Sequence, residues 1–271
     1  MDDRPIGIFD SGFGGLTVAR ALIDLLPEED LVYIGDTGRY PYGPRPLGDV
    51  TGFSRQITAK LVGDHDVKMV VVACNTAAAA ALDSLRDEFD VPLVGVIEPG
   101  LRAALSVTDT GRIAVIGTVG TIASGAYQRA AATMASGLSV VLTCAACPGF
   151  VEFVERGETG SDQVLILAER LLAPVRAARV DTLLLGCTHY PFLARTITDV
   201  VGRDVVLVSS ADETAFEVRA ILAEVGLGRR VTTRSGIHTW ISSGDTEGFR
   251  RLGRRLLGPE IESVVAWDPV A

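Results

Sequence analysis

Two apolar runs of this chain each end in a cysteine that is followed by small polar side chains. The first run covers residues 69–73 and leads into Cys74, and the second covers 182–186 and leads into Cys187. Short apolar runs without polar alternation are typical of strands buried on both faces of a parallel sheet. In such sheets, ligands usually bind at the carboxyl ends of the strands, where the following helices begin. The N-terminus of a helix favours the thiolate form of a cysteine over the thiol. We therefore predict that the two cysteines serve one ligand site.

Strand-like and helix-like segments alternate along the chain, which predicts an α/β fold with parallel sheets covered by helices. The predicted strands are 6–10, 31–35, the run ending at 74, 91–97, 112–117, 138–143, 181–186 and a polar strand near 239–243. The predicted helices are 14–26, 48–63, 76–89, 212–225 and 245–257.

The strand-turn-cysteine pattern occurs twice. The turn after the first strand begins at Asp10, 64 residues before Cys74, and a similar turn begins at Thr118, 69 residues before Cys187. We interpret this as a diverged internal duplication. It predicts two pseudo-symmetric parallel-sheet α/β domains that face each other across an active-site cleft. The first domain would comprise 1–97 plus 208–271 and carry Cys74, and the second would comprise 98–207 and carry Cys187, with a boundary at Glu98-Pro99.

Composition excludes several classes of protein. The 271 residues carry a net charge of −9, which argues against nucleic acid or an anionic membrane as the main partner. We find no signal peptide and no apolar run long enough to span a bilayer, and we expect a cytoplasmic protein whose four cysteines are free thiols.

The neighbours of the two cysteines favour function over simple packing. A strand-end cysteine alone is more often a small buried apolar residue than a nucleophile. Here Asn75 and Thr76 follow the first cysteine, and Thr188 and His189 follow the second. Burying those polar groups in an apolar core would cost free energy unless a ligand or partner satisfied them.

The glycine-rich turn at residues 10–15 allows two interpretations. Its Gly12-x-Gly14-x-x-Thr17 pattern, with Asp36 ending the next strand, is a weak match to a dinucleotide-binding loop. Alternatively, its backbone N–H groups could face a small carboxylate at a helix N-terminus, with Asp10 beside Cys74 as an N-cap, a proton-transfer partner or both. The stiff, proline-bracketed loop 39–45 could form one wall of the cleft.

Other chemistry has weaker support. Cys144 and Cys147 form a C-x-x-C pair, but no second pair or paired histidines could complete a metal shell, so we predict structural thiols and no metal site. The two lysines, Lys60 and Lys68, lie on a predicted helix surface and at a predicted strand edge. Neither is a good candidate for a pyridoxal Schiff base, and we expect no cofactor.

Two thiols on opposite sides of a cleft suit proton transfer at a carbon. One thiolate removes the proton from Cα, and the other thiol delivers a proton to the opposite face and inverts the centre. Without pyridoxal, the site must stabilise the developing carbanion by hydrogen bonds and by excluding water.

The motifs together resemble the glutamate racemase family, within the cofactor-independent aspartate/glutamate racemase superfamily. They are Phe9-Asp10-Ser11-Gly12-x-Gly14-Gly15, Pro41-Tyr42-Gly43-x-Arg45, Ala73-Cys74-Asn75-Thr76 and Gly186-Cys187-Thr188-His189-Tyr190-Pro191. The resemblance implies interconversion of L- and D-glutamate, supply of D-glutamate for peptidoglycan, a homodimer, and DNA gyrase binding in some members.

The resemblance also implies roles for individual residues. Cys74 would deprotonate D-glutamate and Cys187 would deprotonate L-glutamate, assisted by Asp10 and His189 respectively. A Cys-Pro-x-Phe-Val segment at 147–151 implies Glu155 as a further assisting acid, although Glu152 stands where the family usually has proline. The implied substrate-binding residues are Asp10, Ser11, Tyr42, Gly43, Asn75, Thr76, Thr118, Thr121, Thr188 and His189.

Three alternatives remain at this point. An aspartate or hydantoin racemase would keep both cysteines but have a different carboxylate pocket. A dinucleotide-binding or C-x-x-C redox protein would bind nicotinamide, or would lose function on changing Cys144 and Cys147 rather than Cys74 and Cys187. A pure binding module would tolerate Cys→Ser at both Cys74 and Cys187.

Overall fold

The computed structural model describes residues 1–137, 139–230 and 234–269, and in these ranges strands and helices alternate as predicted. The strands are β1 (Ile6–Asp10), β2 (Leu31–Gly35), β3 (Met69–Val72), β4 (Leu93–Gly95), β5 (Arg112–Gly117), β6 (Val141–Ala146), β7 (Thr182–Gly186), β8 (Val206–Ser209), β9 (His238–Ser242) and β10 (Val265–Ala266). The helices of the first 137 residues are α1 (Leu16–Leu25), α2 (Leu47–His65), α3 (Asn75–Glu88), α4 (Ile97–Val107), α5 (Val119–Ala123) and α6 (Ala126–Met134). Those that follow are α7 (Phe150–Arg156), α8 (Asp162–Leu171), α9 (Ala173–Ala178), α10 (Ala194–Val201), α11 (Ser210–Glu224) and α12 (Thr246–Leu256).

The strands form two parallel sheets with related strand orders. The first sheet has the order β10-β9-β2-β1-β3-β4, and the second has the order β6-β5-β7-β8. The order β2-β1-β3-β4 within the first sheet therefore matches the order β6-β5-β7-β8 of the second sheet. This repeated order agrees with the predicted pseudo-symmetry, and the two-sheet α/β fold is confirmed.

Burial explains why the strands read as continuous apolar runs. Every residue of β1, β2, β3 and β7 is buried, because helices cover both faces of each sheet. The alanines at the start of α3 allow that helix to lie close to the first sheet, where Ala77, Ala78 and Ala81 are buried. A Cβ on Gly95 would lie 2.6 Å from a methyl carbon of Leu82, so this contact has no spare room.

The structure corrects two sequence-based boundaries. The strand predicted over 91–97 is only β4, and Glu98-Pro99 lies in the first turn of α4. Proline fits there because the first turn of a helix needs no N–H from it. The strand predicted over 138–143 is β6, which extends to Ala146 and therefore includes Cys144; Leu138 lies outside the described residues.

The chain after β8 returns to the first sheet. Strand β9 pairs in parallel with β2, from Leu31 opposite His238 to Gly35 opposite Ser242. Helix α11 packs against α1 and α4. The division at residues 98 and 208 stays a prediction. Within the described ranges, no helix combines the length and apolar character needed to cross a bilayer.

Candidate active site

A cavity lies where the carboxyl ends of the two sheets face each other. Strands β1 and β3 lead into it from the first sheet, and β5 and β7 lead into it from the second. In both sheets these are neighbouring strands, at the point where the strand order reverses, which is where α/β proteins usually bind ligands. Eleven of the predicted site residues line it: Asp10, Ser11, Tyr42, Gly43, Cys74, Asn75, Thr76, Thr118, Cys187, Thr188 and His189.

Cys74 stands between the end of β3 and the start of α3. It is the N-cap of α3, and its Sγ accepts a hydrogen bond from the backbone N–H of Ala77 at 3.5 Å. Burial and the neighbouring Asp10 carboxylate raise the pKa of the Cys74 thiol well above its ordinary value, although the N–H groups of Ala77 and Ser11 oppose this. Cys74 is therefore a thiol at rest, beside a carboxylate that can exchange a proton with it.

Cys187 has a different partner at the end of β7. Its Sγ lies 3.9 Å from Nδ1 of His189, and Nε2 of the same ring lies 3.3 Å from Oε1 of Glu155. Burial disfavours the charged imidazole, but hydrogen bonds to Cys187 and Glu155, together with the charges of Cys187 and Asp10, outweigh it and raise the pKa of His189 to about 10. At neutral pH a cationic imidazole therefore faces the sulfur of Cys187.

Asp10 is held by the glycine-rich turn that follows it. Its Oδ2 accepts a hydrogen bond from the N–H of Gly12 at 3.0 Å, and the N–H of Gly15 also faces the carboxylate. Burial raises the pKa of Asp10, against the opposing effects of His189 and these N–H groups. This corrects one expectation: the N–H groups of Gly12 and Gly15 are directed at Asp10 rather than at a bound carboxylate or pyrophosphate. Asp10 is also not the N-cap of α1, which is Gly15.

Three threonine hydroxyls join the two halves of the site. Oγ1 of Thr76 lies 2.9 Å from Oγ1 of Thr118 and 3.1 Å from Oγ1 of Thr121. Thr118 is the N-cap of α5, and its Oγ1 also accepts the N–H of Thr121. Thr76 and Thr118 line the cavity, whereas Thr121 lies behind them in contact with both hydroxyls, and its predicted contact with substrate stays a prediction.

The loop 39–45 forms a wall of the cavity, as predicted, and Asp36 fixes it in place. The Asp36 carboxylate is fully buried and accepts hydrogen bonds from the hydroxyl of Tyr42, from Nε of Arg39 and from Oγ of Ser243. Asp36 thus ties this wall to the chain after β9. From the sequence, Asp36 is predicted only as a ribose ligand, because nothing in the sequence marks the approach of Ser243.

The remaining candidate residues differ in whether they line the cavity. Glu152 lines the cavity, whereas Glu155 lies behind it, in contact with His189. Cys147 lines the cavity, whereas Cys144 lies within β6 and does not. Neither lysine lines it, and Lys68, expected at a strand edge, is instead fully buried in an ion pair with Glu29.

A family model and the similar known sequences indicate the same protein family. Residues 16–217 match the family model described as Asp/Glu/Hydantoin racemase. A glutamate racemase of Acidothermus cellulolyticus is 51% identical over 264 residues, covering 97% of this chain and 99% of the relative. A glutamate racemase of Mycobacterium tuberculosis is 49% identical over 265 residues, covering 98% and 96% of the two chains.

Solved structures agree with the sequence comparison. Glutamate racemase isoform RacE1 from Bacillus anthracis superposes with a TM-score of 0.91 at 39% identity, covering 99% of this chain and 98% of that one. The glutamate racemase of Francisella tularensis in complex with D-glutamate gives a TM-score of 0.90 at 30% identity, covering 99% of both chains.

Proposed function

Since this chain belongs to the aspartate/glutamate/hydantoin racemase family and is an amino-acid racemase, we propose that it interconverts L-glutamate and D-glutamate by two-cysteine proton transfer at Cα without pyridoxal phosphate. The observation that carries the mechanism is that Cys74 and Cys187 line the same cavity from two different sheets. Glutamate as the substrate is supported by relatives named glutamate racemase, whose sequences are about 50% identical to this one over nearly the whole chain.

The proposed reaction moves one proton off Cα and another onto it. With L-glutamate bound, the Cys187 thiolate takes the α-proton, so the C–H bond breaks, an S–H bond forms, and the electron pair stays on the substrate. The Cys74 thiol then donates its proton to the opposite face of Cα and becomes a thiolate. The reverse direction starts from D-glutamate and the Cys74 thiolate.

The two cysteines differ in how they are prepared for these steps. The imidazolium of His189, which contacts Glu155 through its other ring nitrogen, lies 3.9 Å from the sulfur of Cys187. The Asp10 carboxylate beside Cys74 can accept and return a proton when that buried thiol acts as a base. Each thiol therefore has its own assisting group, His189 for Cys187 and Asp10 for Cys74.

The carbanion needs stabilisation, because the α-proton of an amino acid is a weak acid. Ser11, Thr76, Thr118 and Thr188 line the cavity and place hydroxyl groups in it. Hydrogen bonds from such groups to the substrate carboxylate strengthen as negative charge develops on it, and exclusion of water increases their effect.

A mechanism independent of pyridoxal phosphate is supported by where the lysines lie. Lys60 pairs with Asp64 on the surface of α2, and Lys68 is buried against Glu29. A Schiff base with pyridoxal phosphate needs a lysine that reaches the substrate, and neither of these lines the cavity.

The biological setting follows from the same family membership. We propose that the enzyme supplies D-glutamate for peptidoglycan synthesis, that it works in the cytoplasm and that it is a homodimer. Light scattering on the purified enzyme tests the dimer, and complementation of a D-glutamate auxotroph tests the supply of D-glutamate. Binding of DNA gyrase rests on family resemblance alone.

Circular dichroism tests the proposed activity. Purified, reduced enzyme without added pyridoxal phosphate should bring the signal of either glutamate enantiomer to zero and leave L-aspartate and L-alanine unchanged. Cys74→Ala and Cys187→Ala should each lose at least about 10³-fold in kcat/KM, because each removes a proton-transfer group. Cys144→Ala is the matched control and should retain activity. Full activity in either of the first two variants, or loss only in the control, would refute the two-cysteine mechanism.

A further inference from the structure

A tyrosine outside the predicted site contacts it from the second sheet's side. Tyr127 lies near the start of α6 and is buried. Its hydroxyl oxygen accepts a hydrogen bond of 2.8 Å from Nδ2 of Asn75, the first residue of α3. The bond joins α6 to α3 and ends on a residue that lines the cavity.

The other end of the Asn75 side chain has no partner. Asn75 is 2% exposed, and its Oδ1 is buried without a hydrogen bond among the described residues. An unsatisfied buried acceptor is unfavourable, which makes it a strong binding point for a ligand that brings a donor. One N–H of Nδ2 is used by Tyr127, and the unpartnered Oδ1 is the acceptor that Asn75 offers to a ligand.

The surroundings keep Tyr127 in place as a neutral phenol. Its ring packs against Gly186, where an added Cβ would lie 3.1 Å from Cε2 of the ring. Burial raises the pKa of Tyr127 above its ordinary value; the hydrogen bond from Asn75 lowers it, and the nearby Cys187 and Cys144 raise it further. The ring cannot move toward β7 without displacing the residue that precedes Cys187.

We propose that Tyr127 is a positioning residue: it fixes the amide of Asn75 so that Oδ1 accepts a hydrogen bond from the α-ammonium group of glutamate. The inference rests on the proposed function for the identity of the substrate. The opposite orientation of the amide would present a donor to the cavity and suit a carboxylate instead. In the orientation that the structure shows, the Tyr127 hydroxyl accepts from Nδ2, and Oδ1 is the free end of the Asn75 amide.

The first test compares two ligands on Tyr127→Phe, which removes only the hydroxyl. The dissociation constant of D-glutamate and its KM should rise about 5-fold, the equivalent of ~1 kcal/mol for one lost hydrogen bond. Glutarate has both carboxylates but no α-ammonium, so its affinity should stay within a factor of two. Equal weakening of both ligands, or of neither, would overturn the proposal.

The second test asks whether Tyr127 acts through Asn75. Placed in an Asn75→Ala background, Tyr127→Phe should cause no further loss of D-glutamate affinity, because groups that act as one unit are not additive. A purely structural role would give the same loss in both backgrounds, and that result would overturn the proposal.

A further pair of variants leaves Tyr127 intact, so the test does not depend on the folding of Tyr127→Phe. Asn75→Asp keeps an acceptor at this position and should bind D-glutamate better than Asn75→Leu, which has none. Equal loss in the two would contradict the acceptor role.

The wild-type enzyme separates the proposed function from the role of Tyr127. Failure of the wild type to racemise glutamate refutes the proposed function, whereas normal activity in the wild type and in Tyr127→Phe refutes only the role of Tyr127.

Discussion

At the scale of single residues, the site gives its two thiols unlike environments. Cys74 lies beside a buried carboxylate, and Cys187 lies beside an imidazole whose pKa is raised to about 10. The strand-end motifs predict the two cysteines, whereas the roles of Asp10 and His189 as their assisting groups are implied by the family resemblance. The sequence leaves the choice between Glu152 and Glu155 open, because Glu152 stands where the family usually has proline, and only the structure shows that Glu155 reaches His189.

The contact between Glu155 and His189 predicts a change in the pH profile. His189 is charged below its pKa, so in the wild type the support it gives Cys187 is lost only as the pH rises through about 10. Glu155→Gln removes a charge that favours the imidazolium, so the alkaline limb of kcat/KM should move to lower pH. A shift of about one unit is expected from a charge-assisted hydrogen bond.

Glu152→Gln is the control for this measurement. Glu152 lines the cavity, but no hydrogen bond joins it to His189 among the described residues. The alkaline limb of this variant should coincide with that of the wild type. An equal shift in both variants, or none in Glu155→Gln, would contradict the assignment of Glu155 as the group that supports His189.

At the scale of elements, close contact between the two strand-end turns shapes the site. The turn after β1 approaches the turn after β7 so closely that a Cβ on Gly14 would lie 2.3 Å from Oγ1 of Thr188 and 2.4 Å from Nδ1 of His189. Strand positions could be predicted from apolar runs, because burial on both faces leaves that pattern. This contact could not, since it depends on how one half of the chain faces the other.

Gly14→Ala therefore tests the approach of the two turns. The added methyl group must displace Thr188 or the ring of His189, so kcat/KM should fall by at least about 10-fold. Gly52→Ala is the matched control, because a Cβ there meets no atom within 4 Å and the residue lies inside α2. It should keep full activity and add about 0.5–1 kcal/mol to the free energy of unfolding. Normal activity in Gly14→Ala would show that the turns are less closely packed.

At the scale of the whole molecule, a buried ion pair joins distant parts of the chain. Nζ of Lys68 lies 2.5 Å from Oε2 of Glu29, and both side chains are at most 2% exposed. Lys68 also donates to the backbone oxygen of Asp2, and Glu29 accepts the N–H of Arg229. Sequence reasoning placed Lys68 at a strand edge, because no periodicity links it to a carboxylate 39 residues away.

Lys68→Met should destabilise the fold, because it leaves the Glu29 carboxylate buried without its cation. The expected loss is about 3–5 kcal/mol in the free energy of unfolding, measured by chemical denaturation. The control is Lys60→Met, which breaks the i,i+4 pair with the exposed Asp64 and should cost at most about 1 kcal/mol. Similar small losses in both variants would mean that the buried pair contributes little to stability.

Placement of one thiol on each side of the substrate is the central claim, and isotope exchange in D₂O tests it most directly. L-glutamate is incubated with the enzyme, and the reaction is stopped long before equilibrium. Two-base transfer predicts that the D-glutamate formed carries deuterium at Cα, because Cys74 delivers a deuteron taken from the solvent. The remaining L-glutamate should keep its protium, because Cys187 can return only the proton that it has just removed. Product that retains protium, or deuterium that enters L-glutamate as fast as it enters the product, would indicate one base and contradict the assignment of Cys74 and Cys187 to opposite faces.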